Sequence, residues 1–450
     1  MKNVEQAIAE ADGAVPLLRN SPVRAHTFPV AAEFTNWRTE QRSWREGTAL
    51  LDQSHHMTNL YIKGPDALAL LTYLGVNSFA TFVPGRAKQF VAVSGEGYYI
   101  GDAILFYLED ELFDLVGHPM SLDWVRFHVE TGDWNVTTEL DDNSFKRQGP
   151  PKVYRYELQG PTADQILQRV TGAPLPDVKF FHMTEFTIAG HRVRGLRHGM
   201  AGAPGFELFG PWEQGAEVHA ALLEAGQGFG IVQVGAKAYS TANLESGWIP
   251  SPMSAIYAGE STKAYREWLG FDHIGSLGGS FDSDHIDDYF HTPYDLGYGR
   301  LVVFDHDFIG RAALERIAEE PRREKVTLVW NSDDVVDAWR SFYSPGVGAK
   351  FIDLPKARYS LFQSDKVLVG DEVVGISMDA GYLVNEREML SLATVDIAHA
   401  EPGTEVVVVW GESPNSTKPN VEEHRQVSIR ATVQPAPYIT FARLSYRADA

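Results

Sequence analysis

Two stretches of this chain are built alike. "YIKGPDALALL" (61–71) and "ELQGPTADQIL" (157–167) each close a strand-like segment with Gly-Pro and then open an apolar run with helical spacing. Alternation is the period of a strand, Gly-Pro interrupts it, and apolar residues three and four positions apart form one face of a helix. The same strand, turn and helix occurring twice predicts two related α+β modules.

The flanking sequence extends this reading. Residues 31–50 carry Trp37 and Trp44 among charged residues and predict a helix ending near Gly47. "MTNLYIKG" follows as a strand, and "PDALALLTYLG" as a short helix opened by Pro65 and closed by Gly75. "KQFVAVSGEGYYIGDAILFYLEDELFDLVG" reads as strands joined by Gly-containing hairpins, and "HRVRGLRHG" with "GFELFGP" as a hairpin of the second module. At 450 residues the chain exceeds what one core usually serves, so two or three domains are expected. A weak boundary falls near 270–295, rich in Gly, Ser and Asp, and beyond "RREKVTLVW" regularly spaced strands such as "GTEVVVVWGE" predict a small β-barrel. The expected division is 1–270 for two interleaved α+β modules, 271–320 for a connecting segment and 321–450 for the barrel.

Composition excludes several partners and chemistries. A formal charge of −21, with no basic run longer than "PRRE", repels phosphate backbones and anionic membrane surfaces. Nucleic acid and membrane are therefore not expected partners. The absence of cysteine removes disulfides, thiolate metal sites and a thiol nucleophile together. No run of about 18 apolar residues occurs, and the N-terminus lacks a basic region followed by an apolar one, so a cytoplasmic protein is expected.

Six motifs, in order over roughly 40–440, resemble the glycine-cleavage aminomethyltransferase family, which uses tetrahydrofolate. They are "LDQSHHM", "LQGPTA", "GAPGFELFGP", "ANLESGW", "TPYDLGYGRLV" and "FIGRAAL". Within that family, "FTNWRTEQRSWRE", "YYIGDAILF" and "AYSTANLESGWIPSPMSAIY" are most similar to the aryl O-demethylase branch acting on vanillate or syringate. Two departures from the aminomethyltransferases accompany this. Their paired acidic residues become Gly101-Asp102, and the arginine before L-E-x-G becomes Asn243. The missing Cys motif also separates the chain from the folate-binding relatives that serve iron–sulfur assembly.

The resemblance implies an α+β, three-domain aminomethyltransferase-like fold, with two modules around a central folate cavity and a C-terminal barrel. It also implies a tetrahydrofolate-dependent methyltransferase giving a catecholic acid and 5-methyltetrahydrofolate from a methoxybenzoate. An aryl ether leaves as a phenolate whose conjugate acid has a pKa of about 10, so the departing oxygen needs a proton donor within reach. The resemblance makes Tyr239 that donor and His56 its companion, with Gln53, His118 and Trp248 on the substrate side. Glu207 is implied as the acceptor for the pterin amino and ring N–H groups, with Asp102 and Tyr98 also on the folate side. A carboxylate inside an apolar strand demands partners, and from the residues alone Asp102 is equally a pocket or a structural group. His118, where a vanillate enzyme is expected to carry arginine, implies syringate in preference to vanillate or 3-O-methylgallate.

Metal is not expected. His55 and His56 are adjacent at a strand entry, where neighbours point to opposite faces, and no HxxxH or HExxH pair exists. Asp282, Asp284, Asp287 and Asp288 with His285 and His291 read as a solvated loop. The expected partners are folate and a small aromatic molecule, in a monomer or homodimer. A demethylase of a sulfonium or methylamine donor, or a non-catalytic folate-binding protein, are the alternatives.

Overall fold

The structure is a computed structural model that describes residues 2–24, 28–414 and 416–446. Its first strands are β1 (Thr48–Asp52), β2 (Thr58–Lys63), β3 (Ala87–Val93), β4 (Tyr99–Glu109), β5 (Leu112–Gly117), β6 (Thr137–Asp141), β7 (Val153–Gln159), β8 (Met183–Ile188), β9 (His191–Arg197), β10 (Gly205–Pro211) and β11 (Ile231–Val234). They form two sheets. One has the order β3-β4-β5-β2-β6, and the other β11-β1-β7-β10-β9-β8. Neighbours are antiparallel except β1 and β11, which run parallel. Since β1 precedes every strand of the first sheet yet pairs in the second, the two modules interlock.

The repeated Gly-Pro is a structural device. Gly64 and Gly160 sit at φ of +145° and +134°, and each leads through a short turn into a helix, Ala67–Leu74 and Ala163–Thr171. A Cβ at Gly64 would run into the Asn135 carbonyl, and one at Gly160 into the Gly47 carbonyl. Both conformation and space therefore exclude a side chain. The helix predicted to end near Gly47 is Trp37–Glu46, its start capped by the Asn36 side chain accepting the Thr39 N–H at 3.0 Å.

The C-terminal region closes into a barrel. Strands Glu372–Leu383, Asp365–Val369, Glu405–Trp410, Val427–Pro435, Arg323–Trp330 and Glu388–Asp396 pair antiparallel in that order, and the last returns to the first. Trp330 and Trp410 fill it with ring centroids 5.7 Å apart, each indole N–H donating to a buried oxygen, Ser391 Oγ and the Lys350 carbonyl. Ile376, Met378, Leu390 and Leu392 of the barrel wall share one apolar core with the first module. Between the last module strand and the barrel the chain holds short helical turns, the helices Lys263–Trp268 and Arg311–Glu319, and a two-residue strand, Leu277–Gly278, paired with Phe362–Gln363. Among the described residues no helix is long and apolar enough to cross a membrane.

Gly64→Ala and Gly160→Ala are each expected to cost about 2–3 kcal/mol, read as lower urea midpoints at unchanged slope. A loss at only one of the two positions would break their equivalence.

Candidate active site

Strand β7 has two faces and both are buried. Tyr154, Tyr156 and Leu158 join an apolar core, while Arg155, Glu157 and Gln159 on the other face are just as enclosed. Charges without water must be satisfied by protein groups. The Arg155 guanidinium meets the Glu207 carboxylate of β10 and lies 3.5 Å from Asp114 Oδ2 of β5. It also lies against the rings of Phe106 and Phe209, at 5.1 and 4.9 Å from their centroids, the two rings meeting edge to face at 5.4 Å. Asn59 Nδ2 donates to the same Asp114 oxygen at 2.9 Å. The two sheets thus meet through one buried cation.

Glu157 continues this network. It accepts the backbone N–H of Met200 and contacts the Gln53 side-chain amide, whose nitrogen is 3.5 Å from the Tyr239 hydroxyl. Tyr239 Oη in turn lies 2.7 Å from His56 Nε2, and the Phe28 ring covers the imidazole at 5.1 Å. Gln53, His56 and Tyr239 therefore stand in one connected group with Glu157, which faces Glu207 across β7–β10.

The local fold explains how Tyr239 is aimed. It ends a four-residue helix, Ala236–Tyr239, too short to be stable alone. Its first turn is held from outside: Ala236 N–H donates to the Ala31 carbonyl at 2.9 Å and Lys237 N–H to that of Ala32 at 3.1 Å. Buried Glu40 accepts the N–H groups of Phe34, Thr35 and Gly235 at 2.7, 2.8 and 2.9 Å. The histidines belong to a turn between β1 and β2 and not to a strand. There His55 turns to Asp52 at 3.7 Å and to Trp212, while His56 turns to Tyr239.

Electrostatics follows burial. Burial pushes Asp114 up to about 7 against the pull of Arg155. Burial and the Glu207 charge push Glu157 up to about 8. Burial, then Glu157 and Glu207, hold the Tyr239 hydroxyl well above its usual range. Burial, with Arg155 and His55, pushes His56 down to about 3, leaving a neutral imidazole at neutral pH.

Asp102 gathers a second group. It accepts from Trp248 Nε1 at 3.0 Å and Tyr298 Oη at 2.9 Å, and from Tyr99 and Gln89. Burial raises its pKa despite these donors. Trp248 and Asp102 are therefore together, whereas Tyr98 packs its ring on Phe290 at 5.7 Å and Tyr99 takes the position beside the carboxylate. His118 caps the helix Pro119–Thr131, its ring accepting the Met120 N–H at 3.4 Å, and Ser121 of that first turn donates to the Asp102 carbonyl at 3.0 Å. Asn243, standing where the family carries arginine, binds Lys356 Nζ at 3.0 Å and also Asp379, so here the cation comes from the barrel. Glu245 of L-E-x-G accepts the Trp44 indole N–H at 3.0 Å and pairs with Arg45, tying its helix to Trp37–Glu46. Among the described residues no group of three His, Asp or Glu side chains is placed to hold a metal, and His291 is buried with Nε2 3.1 Å from Thr394 Oγ1.

Arg155, Glu157 and Asp114 are absent from the sequence reading. The signal for the first two was present: in "VYRYELQ" the polar residues fall every second position, a complete polar face on a strand that the repeat places centrally.

Tetrahydrofolate presents N–H and amino donors along its pterin edge, and the donor set suits them. Glu207 has one oxygen on Arg155 and the other 3.7 Å from His198 Nδ1, beyond hydrogen-bond length. Asp114 Oδ1 is buried without a protein partner among the described residues. A buried acceptor without a donor costs about 1–3 kcal/mol, so these oxygens fit a donor-bearing ligand.

Two interlocked modules, a barrel against them and a buried network of carboxylates around a tyrosine define a folate-dependent group-transfer enzyme. The chain belongs to the glycine-cleavage aminomethyltransferase family: the family model described as GCVT N-terminal domain matches residues 7–251. It is 47% identical to a syringate O-demethylase from Sphingobium sp., covering 99% of this chain and 98% of the relative. It is 29% identical to a sesamin methylene transferase from Sinomonas sp., covering 91% and 90%, and 28% identical to an aminomethyltransferase from Streptomyces coelicolor, covering 83% and 84%. The crystal structure of glycine cleavage system aminomethyltransferase T from Bartonella henselae has the same fold, with a TM-score of 0.62 at 17% identity over 93% of this chain and 95% of that one. The protein is thus an enzyme, a tetrahydrofolate-dependent methyltransferase.

Arg155→Met removes the cation from between two buried carboxylates and is expected to cost about 3–5 kcal/mol in chemical denaturation. Adding Glu207→Gln is expected to recover part of the loss, because one of the stranded charges is then gone.

Proposed function

We propose that this enzyme demethylates a methoxybenzoate, with syringate preferred over vanillate and 3-O-methylgallate, and releases a catecholic acid and 5-methyltetrahydrofolate in the cytoplasm. The observation that carries the reading is the buried Tyr239 hydroxyl, 2.7 Å from a neutral His56 and 3.5 Å from Gln53. The 47% identity to a syringate O-demethylase supports it, as does His118 where arginine is expected for vanillate. In this reading residues 1–270 carry both ligands, 271–320 connect and 321–450 form the barrel.

Tetrahydrofolate supplies the nitrogen that takes the methyl group and the hydrogen that the phenol finally gains. The protein holds the two ligands aligned, for which well-oriented reactions gain roughly 7–11 kcal/mol. Tyr239 passes its proton to the leaving oxygen. Burial raises its pKa, and the same surroundings raise that of the departing phenol, so donor and acceptor stay matched and the proton moves only as the C–O bond breaks. His56, protonated on Nδ1, accepts the Tyr239 hydrogen at rest; in the other tautomer it donates to the tyrosyl oxygen. Glu207 and Asp102 face the folate, and Gln53, Trp248 and His118 the aromatic ring.

Anaerobic incubation of the purified protein with tetrahydrofolate and each of syringate, vanillate and 3-O-methylgallate tests this, with 5-methyltetrahydrofolate and demethylated acid followed by chromatography. Equal amounts of both products are expected, fastest with syringate. Folate binding without turnover of any aryl ether would overturn the reading. Tyr239→Phe is expected to lower kcat by about 10²- to 10⁴-fold with folate affinity retained.

A further inference from the structure

Glu157 has no part in the proton transfer just described, yet it lies at the centre of the network. In the antiparallel β7–β10 pair it stands directly opposite Glu207, and both side chains are buried. Side chains so opposed have Cβ atoms about 4.5–5.5 Å apart, and two like charges there repel. Their surroundings differ. Arg155 pairs with Glu207, whereas among the described residues Glu157 has no ion-pair partner, only the Met200 N–H and the Gln53 amide.

The Gln53 amide has two orientations, since its oxygen and nitrogen are assigned by their partners. With Nε2 on Glu157, Oε1 is buried without a protein partner. Turned over, Oε1 accepts a proton held by Glu157, and Nε2 takes the open position as a donor. A departing phenolate oxygen needs a donor there, and an amide oxygen would repel it.

We propose that Glu157 is a positioning residue of the methyl-transfer site: standing opposite the Arg155-bound Glu207, it donates a proton in a hydrogen bond to the Gln53 amide oxygen and so turns the amide N–H toward the substrate oxygen. Ionisation of Glu157 turns the amide back and places a second negative charge beside Tyr239. The groups facing Glu157 are Glu207 from β10, Tyr239 from the helix Ala236–Tyr239, Gln53 and the Met200 backbone. Arg155, two residues along the same face, is engaged by Glu207 and Asp114, and His56 lies beyond Tyr239 and His198 beyond Glu207. Burial and the Glu207 charge push Glu157 up to about 8, so the neutral form prevails below that pH and is lost as pH rises through it.

The kinetic consequence rests on the demethylase reading, and the protonation state does not. In wild type, kcat is expected to fall about tenfold per pH unit above roughly pH 8. Glu157→Gln, an amide that mimics the neutral acid, is expected to flatten that limb in a profile normalised to its own maximum; Glu157→Ala, which cannot hold Gln53, is not rescued at any pH. The same limb with the same midpoint in Glu157→Gln would overturn the proposal. Infrared difference spectra of the protein without substrate, between pH 6.5 and 9.5, are expected to lose a protonated carboxyl band that Glu157→Gln lacks. A carboxylate already ionised at pH 6.5 would also overturn it. If no aryl ether turns over, the spectra still decide Glu157 while the functional reading fails alone.

Discussion

One buried guanidinium organises this molecule. Arg155 reaches Glu207 in its own sheet and Asp114 in the other, and it lies against the edge-to-face pair of Phe106 and Phe209, one ring from each sheet. Burying ions costs several kcal/mol each, and such a pair can often be replaced by apolar residues without loss. Stability alone therefore does not explain it. Around the single cation stand three buried carboxyl groups, Asp114, Glu157 and Glu207, more than it can neutralise. Burial, with the neighbouring carboxylates, accordingly lifts Asp114 to about 7 and Glu157 to about 8. Burial and the neighbouring carboxyl groups likewise hold the Tyr239 hydroxyl well above its usual range.

Rigidity reaches this network from secondary structure outside it. The four-residue helix bearing Tyr239 is held by the carbonyls of Ala31 and Ala32 and by Glu40, which sits in the helix Trp37–Glu46. That helix is in turn fixed to the barrel, where Gln41 donates to the Tyr382 carbonyl at 3.0 Å and accepts the Val384 N–H at 2.8 Å. The barrel is thus joined by hydrogen bonds to the part of the chain that aims the tyrosine.

Local periodicity made much of this legible. The helix stops at Gly47 and Gly75, the Gly-Pro repeat and the barrel strands all rest on patterns a few residues long, and the structure has them where the patterns fall. What stayed hidden depends on distance or on phase. The pairing of β1 with β7 and β11 is non-local, and the meeting of Arg155 with Asp114 crosses sheets. The place of Tyr99 beside Asp102 is a question of phase, because the β3–β4 register shifts between Ala92 and Val93 and simple alternation fails there. His55 and His56 diverge as expected of neighbours, but through a turn, which periodicity does not describe.

The repeat itself accounts for the position of the site. Setting Gly64 on Gly160 places Asn59 on Arg155 and Tyr61 on Glu157. Pairing extends the match: Tyr61 faces Asp114 across β2–β5, as Glu157 faces Glu207 across β7–β10. The equivalent residues Asn59 and Arg155 both bind the Asp114 carboxylate, and Arg155 also binds its counterpart Glu207. The two modules therefore contribute the same two positions to one buried cluster, and the chemistry arises where they differ. A neutral asparagine and a tyrosine in one module allow its carboxylate to be shared, while the arginine and second glutamate of the other supply the charge and the excess acid. Asp114 of the first sheet meets the Arg155 cation of the second, so the two copies are joined at a buried, charged cluster.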